Sequence, residues 1–189
     1  AMLMIEVDGP AHCLQQSVTA VATAARNQGL IELHSAETKE EIARLWKARK
    51  SLSPALRKVA PKKINEDVVV PVSRIPRLIE GLQRLSAETG VRIVNFGHAG
   101  NGNIHVNLLT DPDDRDQMRQ AQLCLDATFD LVLDLGGTLS GEHGIGLEKR
   151  DFIGREIDPP TLRLMTDIRR QFDPAGILNP GKVFPVTDA

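Results

Sequence analysis

Two apolar stretches flank a glycine-rich turn in VRIVNFGHAGNGNIHVNLL, the sequence of residues 91–109. Residues 91–96 are typical of a strand that enters the turn, and residues 103–109 of a strand that leaves it. Alternate side chains of a strand face opposite sides of a sheet. In the second strand, the side chains expected to face a core are those of Ile104, Val106 and Leu108. The opposite, polar row consists of Asn103, His105 and Asn107, which suits a surface that faces a ligand.

The rest of the chain alternates between extended and helical patterns. The other predicted strands are residues 3–7, 30–33 and 67–71. Helical spacing of apolar residues predicts helices over 11–27, 38–58, 74–88 and 112–135. Pro54 is expected to interrupt or restart the second of these helices. After Phe152 the pattern predicts short helices broken by prolines.

This order of elements fits two architectures, a doubly wound parallel sheet and an antiparallel α+β sheet with helices on one face. The sequence has no G-x-G-x-x-G between a first strand and its helix, and no G-x-x-x-x-G-K-[ST]. Its glycine-rich turns instead follow the fourth predicted strand and the last long helix. We therefore predict a ferredoxin-like α+β domain over residues 1–135. Residues 136–189 are predicted to form a glycine-rich active-site loop and a small C-terminal helical segment.

The composition is that of an ordinary globular protein, with 41% hydrophobic and 25% charged residues. A net charge of −2 gives no basic field for binding nucleic acid. No apolar run approaches the roughly 20 residues that a transmembrane helix needs, so no transmembrane segment is expected. Cys13 and Cys124 are too few for a disulfide framework, which favours a reducing, cytoplasmic location.

Histidines and an acid cluster in two glycine-rich segments, residues 97–107 and Ser140-Gly141-Glu142-His143-Gly144. Glycines between His98 and His105 allow a bend that brings both imidazoles to one point. Two histidines and a carboxylate are typical ligands of a catalytic metal site with open positions, and Glu142 is the candidate carboxylate. The alternative is that these histidines only satisfy backbone groups of the turns.

Glu142 and His143 are adjacent, so an extended backbone would point their side chains to opposite sides. This favours a division of roles in which one binds the metal and the other transfers a proton. Histidine is the natural base near neutral pH. Arg49 could bind a carboxylate through two hydrogen bonds, although its spacing fits a solvated charge on a helix equally well.

Five pieces of the sequence together resemble the C-terminal, substrate-side domain of FAD-linked oxidases of the vanillyl-alcohol oxidase superfamily. These pieces are Trp46-x-x-Arg49, residues 67–71, residues 97–107, residues 140–146 with Lys149, and residues 172–182. Within this superfamily the sequence is most similar to the flavin subunit of glycolate oxidase, D-lactate dehydrogenase and D-2-hydroxyglutarate dehydrogenase.

The resemblance implies a role for each candidate residue. It assigns His98, His105 and Glu142 as ligands of a divalent metal, usually zinc, and His143 as the catalytic base. The implied substrate contacts are Arg49, Ser53, Lys63 and Asn107, and Asn179 is implied to approach the flavin. Asn101 departs from the family pattern, in which many relatives carry aspartate.

The implied activity is oxidation of a D-2-hydroxy acid, such as glycolate or D-lactate, to the 2-keto acid with hydride transfer to FAD. Relatives bind FAD mainly through an N-terminal domain that this chain lacks, so the chain alone is expected to be inactive. Implied partners are that FAD-binding domain and an iron–sulfur or other electron-acceptor subunit, which could hold the protein at the inner membrane peripherally.

Two other classes of function stay open at this point. A stand-alone metal-binding or metallohydrolase domain would use His98, His105 and Glu142 to activate water. A non-catalytic interaction module would need these histidines only for structure.

Overall fold

The structure, a computed structural model, describes residues 1–185. The last four residues of the predicted 136–189 segment therefore lie outside the described part of the chain. The chain divides into two compact units, Ala1–Ser51 and the residues from Leu52 onward. The predicted boundary between residues 135 and 136 stays a prediction.

The first unit contains helix α1 (Ala11–Ala25) and the start of helix α2 (Lys39–Leu56). The predicted strands at 3–7 and 30–33 were wrong, because both segments lack regular secondary structure. A strand needs a hydrogen-bonded neighbour to be stable. Neither segment is part of the sheet, and Leu3 and Ile31 are exposed by 69% and 98%.

Helix α2 continues through Pro54 without the predicted interruption. The proline lies in the last turn of the helix, which ends at Leu56. Its missing N–H therefore removes a single hydrogen bond close to a helix end that must terminate anyway.

The second unit contains a three-stranded antiparallel sheet in the order β1-β3-β2. Its elements in chain order are β1 (Lys62–Val69), α3 (Ile75–Thr89), β2 (Arg92–His98), β3 (Asn103–Thr110) and α4 (Arg115–Asp134). After α4 the chain returns to the outer edge of β1, where Thr138 and Val69 form an antiparallel bridge. This is the β-α-β-β-α-β pattern of a ferredoxin-like fold with its last strand reduced to one bridge. The predicted α+β class with an antiparallel sheet is confirmed.

One face of this sheet forms the core with α3 and α4. The buried apolar side chains of the sheet include Val68, Ile104, Val106 and Leu108, and those of the helices include Leu78, Leu82, Phe129 and Val132. The prediction for the apolar row of β3 is therefore confirmed. The polar row of β3 lies on the opposite face. Helices α3 and α4 therefore cover one side of the sheet, and the candidate functional side chains lie on the other.

The C-terminal segment contains the short helix α5 (Ile153–Glu156) and helix α6 (Pro159–Phe172). Helix α6 buries none of its residues. None of the described helices is both long and apolar enough to cross a membrane.

Candidate metal and substrate site

The hairpin between β2 and β3 places two imidazoles beside each other. His98 is the last residue of β2, and His105 lies in the register of β3 opposite Phe96. Gly102 in the turn has φ +80°, and a Cβ there would lie 1.9 Å from the carbonyl oxygen of Val70. Only glycine fits this position. The resulting distance between the centroids of the His98 and His105 rings is 5.7 Å.

The carboxylate of Glu142, in the loop after α4, lies close to the imidazoles of His98 and His105. Its Oε1 lies 3.6 Å from Nε2 of His98, and its Oε2 lies 3.8 Å from Nε2 of His105. One ligand atom from each of the three residues lies within 4.8 Å of the other two. Residues far apart in the sequence therefore present two nitrogens and a carboxylate to one point.

The spacing of these atoms fits a divalent cation. Two ligand atoms of a tetrahedral zinc ion lie about 3.4 Å apart, because each is about 2.1 Å from the metal. The separations of 3.6 Å from Oε1 to His98 and 3.8 Å from Oε2 to His105 involve different oxygens of the carboxylate. Both are longer than a good hydrogen bond and close to that value. Three protein ligands would leave a position open for a substrate oxygen.

The environment of His105 favours the form that binds metals. The side chain is buried in β3, and burial lowers the pKa of His105. The Glu142 carboxylate opposes this effect, while the neighbouring histidines add to it. The lowered pKa favours the neutral imidazole over the imidazolium, and neutral imidazole is the form that binds metals.

His143, like Glu142, lies beside the imidazole of His105. Its ring stacks on that of His105 with a centroid distance of 5.5 Å and an interplanar angle of 21°. Its Nδ1 lies 3.4 Å from Oδ1 of Asp67. The backbone here is a turn, so the two adjacent side chains do not point to opposite sides as an extended backbone would require.

Asp67, to which sequence reasoning gave no role, binds the backbone of the loop that carries Glu142 and His143. Its carboxylate is fully buried at the end of β1 and accepts hydrogen bonds from the N–H groups of Gly141 (2.9 Å), Glu142 and His143 (2.8 Å). Lys149 Nζ also donates to this carboxylate. The visible signal in the sequence was an acidic residue directly before the apolar run 68–70.

The charge state of Asp67 follows from these contacts. Burial alone would raise the pKa of its carboxyl group, but the hydrogen bonds from Lys149 and from the N–H groups of Glu142 and His143 outweigh it. The pKa of Asp67 is therefore held well below its usual range, and the group is ionised at neutral pH.

Ser53 and Lys63 contact each other. Lys63 Nζ donates a hydrogen bond of 2.8 Å to Oγ of Ser53. Partial burial lowers the pKa of Lys63, and the positive charge of Arg57 adds to the effect. Lys63 and Asp67 face the same side of β1 and lie about 13 Å apart along the strand.

Asn107 lies on the same face of β3 as His105 and is fully buried. Its Nδ2 donates to the carbonyl oxygens of Val94 (2.9 Å) and His105 (3.2 Å). Its Oδ1 and both polar side-chain atoms of Asn103 are buried without a hydrogen-bond partner among the described residues. Buried polar atoms are normally paired, so these groups have unused hydrogen-bonding capacity for water or a bound molecule.

The remaining two candidates lie on other elements. Arg49 is a half-buried residue of α2 in the first unit, one turn after Trp46. Asn179 lies in the C-terminal loop with φ +46°. The Asn179 side chain accepts a hydrogen bond of 3.1 Å from Lys182 Nζ, and its carbonyl oxygen accepts one of 3.1 Å from Arg169.

Fold and site together define an α+β domain with a candidate divalent-metal site on the face of its sheet opposite helices α3 and α4. Residues 1–183 match the family model described as FAD linked oxidases, C-terminal domain. The chain belongs to this family, and the resemblance inferred from its motifs is confirmed.

Known relatives are longer than this chain. It is 33% identical over 184 residues to the glycolate oxidase subunit GlcD of Bacillus subtilis, covering 97% of this chain and 39% of that protein. The D-lactate dehydrogenase of Archaeoglobus fulgidus is 34% identical over 181 residues, which cover 93% of this chain and 40% of the relative. For the D-2-hydroxyglutarate dehydrogenase of Stutzerimonas stutzeri the identity is 33% over 153 residues, with 78% and 32% covered. The chain thus spans about two fifths or less of these proteins.

A solved structure shares the fold. The 4-ethylphenol oxidase from Gulosibacter chungangensis, in complex with isoeugenol, superposes with a TM-score of 0.60 and 18% sequence identity. The superposition covers 94% of this chain and 38% of that one.

Proposed function

We propose that this chain is the substrate-binding domain of an FAD-dependent enzyme that oxidises a D-2-hydroxy acid to the 2-keto acid. Glycolate and D-lactate are the substrates we favour, because relatives along almost the whole chain are named for them. The observation that carries the proposal is the convergence of His98, His105 and Glu142, with His143 stacked against this cluster.

The three clustered side chains suit the activation of an alcohol. A divalent cation such as zinc, bound by them, would lower the pKa of the 2-hydroxyl group of the substrate. His98 is half-exposed, whereas His105 is nearly buried. This difference supports a site that is fixed on its protein side and open toward the substrate.

His143 is the base in this proposal. Asp67 faces its Nδ1 and favours a proton there, which leaves Nε2 as the atom that accepts the hydroxyl proton. FAD, when bound, would supply the hydride acceptor for C2, so the two hydrogens of the alcohol would leave as a proton and a hydride. A well-placed base typically contributes about 10²- to 10⁴-fold to the rate.

The substrate carboxylate needs cationic and hydrogen-bonding partners. We assign these roles to Arg49, Ser53, Lys63 and Asn107, on the strength of their residue types and of the family to which the chain belongs. Asn179 is assigned to the flavin on the same basis. An FAD-binding domain outside the matched part of the relatives would hold most of the cofactor, and the chain alone would not turn over.

The proposal also includes an electron acceptor and a cellular location for the enzyme. An iron–sulfur or other electron-acceptor subunit would reoxidise the flavin. We place the enzyme in the cytoplasm, or at the inner membrane through such partners.

The proposal is tested by joining the chain to the FAD-binding domain of the Bacillus subtilis relative and following dye reduction. After flavin loading is verified by absorbance, glycolate or D-lactate should drive reduction, and L-lactate should drive much less. His143→Asn should lower kcat by about 10²- to 10⁴-fold, while the control His34→Asn, on an exposed residue of the first unit, should not. A flavin-loaded protein that ignores every D-2-hydroxy acid would contradict the proposal.

A metallohydrolase would use the same three ligands to activate water, and it remains the second candidate. The match to an FAD-linked oxidase family over residues 1–183 disfavours it. A panel of ester and amide substrates, assayed with and without a chelator, would detect it as chelator-sensitive hydrolysis.

A further inference from the structure

We propose that Asp67 and Lys149 act as a positioning pair that holds the loop 140–143 so that Glu142 and His143 reach His105. This inference rests on the proposed function of that site, because it explains how the site is assembled. Neither residue of the pair is assigned to touch the substrate.

A single residue, Asp67, accepts the hydrogen bonds of this loop, most of them through its carboxylate. Among the described residues, every hydrogen bond made by residues 140–143 ends on Asp67. The N–H groups of Gly141, Glu142 and His143 converge on Oδ2, and the Gly141 N–H also lies 3.2 Å from the Asp67 carbonyl oxygen. Successive N–H groups in a turn form a concave site for an anion, and here the anion is a side chain of the protein itself.

Burial of apolar side chains does not hold this loop. Residues 141–144 are all exposed, so no burial of apolar side chains fixes their positions. The three N–H contacts act on the backbone alone and leave the side chains of Glu142 and His143 available for the cluster. Removal of the Asp67 charge would therefore release both side chains together.

Lys149 holds the Asp67 carboxylate in the position from which it binds the loop. Its ammonium group, in a side chain only 3% exposed, donates to Oδ1 of Asp67 and, at 2.7 Å, to the carbonyl oxygen of Leu139. Leu139 lies directly before the loop, so Lys149 ties the start of the loop to the end of β1. Glu66 Oε2 lies 3.4 Å from the same ammonium group.

Close packing of Gly141 supplies independent support. A Cβ at Gly141 would lie 2.7 Å from Cγ2 of Val69 and 2.9 Å from the amide of Asn103. The loop therefore lies directly on the sheet at the position where Asp67 holds it, with no space for a side chain between them.

The test compares wild type, Asp67→Asn, Glu142→Gln and the control Glu66→Gln, all in this chain. Glu66 is a good control because it is a buried acid beside Lys149 that makes no hydrogen bond to residues 140–143. Hydrogen exchange measured by NMR reports on the amides of residues 141–143, and calorimetry reports on zinc affinity. Protection of β3 amides verifies that each variant is folded.

We expect Asp67→Asn to speed exchange of the three loop amides at least about tenfold and to weaken zinc binding by about 10- to 100-fold, as loss of a group that orients metal ligands does. Protection in β3 should persist, and Glu66→Gln should leave both loop measurements near wild type. Glu142→Gln should lose zinc affinity while the loop amides stay protected.

Two results would overturn the inference. One is an Asp67→Asn variant with wild-type loop exchange and zinc affinity. The other is a wild-type protein whose loop amides exchange as fast as in an unfolded peptide, a measurement that needs no variant to fold. If wild type and Glu142→Gln bind zinc equally, the metal site itself fails, while the exchange data still judge the positioning pair.

Discussion

The ammonium group of Lys149 lies beside two buried carboxylates, those of Glu66 and Asp67. Lys149→Met would leave both acids buried without a cation. Because removal of one partner leaves an uncompensated buried charge, we expect the free energy of unfolding to fall by about 3–5 kcal/mol. Urea denaturation followed by circular dichroism measures this change.

The control for this prediction is Lys58→Met, at an exposed position of the second unit. Surface substitutions usually change stability by less than about 0.5 kcal/mol. A Lys149→Met variant as stable as this control would show that the buried ion pair does not stabilise the fold.

Residue types and spacing were enough to predict that His98, His105 and Glu142 lie together, while their role as metal ligands stays a prediction. They were not enough to select Asp67, because its partners are N–H groups 74 to 76 positions later in the chain. Backbone donors carry no sequence signal, so a carboxylate that binds them looks like any other acid at a strand end. Its role is visible only once the loop lies against β1.

Among the structural elements, the glycine-rich loop 140–143 has no room for a side chain at Gly141. Gly141→Ala would place a methyl group within 3.0 Å of Val69 and Asn103 and should displace the loop from the sheet. We expect zinc affinity to fall by about tenfold or more, because the Glu142 ligand moves with the loop. Calorimetric titration measures the loss.

Gly154→Ala is the matched control, since Gly154 lies in helix α5 and a Cβ there would meet nothing within 4 Å. It should leave zinc affinity unchanged and, through the higher helix propensity of alanine, should not destabilise the fold. Equal zinc affinity in both alanine variants would contradict the role assigned to close packing at Gly141.

Helix α4 begins with a cap whose effect should depend on pH. The Asp114 side chain accepts hydrogen bonds from the N–H groups of Asp116 and Gln117, both at 3.0 Å, and the contacts with Gln117 lower the pKa of Asp114. A carboxyl group whose folded pKa is lowered stabilises the fold above its unfolded pKa, about 3.9, and loses this effect as the pH falls through the folded pKa.

Asp114→Ala should therefore lower the midpoint of thermal unfolding at pH 7, and the difference from wild type should shrink below about pH 4. Scanning calorimetry across this range measures it, with Asp113→Ala on the neighbouring exposed acid as the control. A difference that stays constant down to pH 2 would contradict the electrostatic part of the cap.

Long, periodic elements were predictable, and short apolar runs were not. Helices α1, α3 and α4 lie within three residues of their predicted ends, because their apolar faces repeat over several turns. Residues 3–7 and 30–33 have strand-like composition, but a strand forms only where a neighbour pairs with it. The bridge between Thr138 and Val69 shows the opposite case, in which tertiary contact creates pairing that no local pattern indicates.

At the scale of the whole molecule, the two compact units differ in how much they bury. None of the residues 1–51 is buried, whereas the second unit contains the apolar core around Phe129 and Val106. Regions with few buried contacts open at low free energy and are cleaved first. Brief trypsin digestion should therefore cut within residues 1–51 and leave a resistant fragment that contains the sheet.

Mass spectrometry of the time course identifies the first cuts. Candidate sites include Arg26, Lys39 and Arg44. First cuts within the sheet or α4, at rates equal to those near the N-terminus, would contradict the assignment of stability to the second unit.

The zinc stoichiometry of the purified chain is the decisive measurement for the proposed metal site. It compares wild type with His98→Ala/His105→Ala and with His12→Ala/His34→Ala, which removes two histidines outside the cluster. With the metal site formed by His98, His105 and Glu142, we expect close to one zinc per chain in wild type and in the second variant, and loss of zinc in the first. Equal zinc content in all three proteins, or none in any of them, would contradict it.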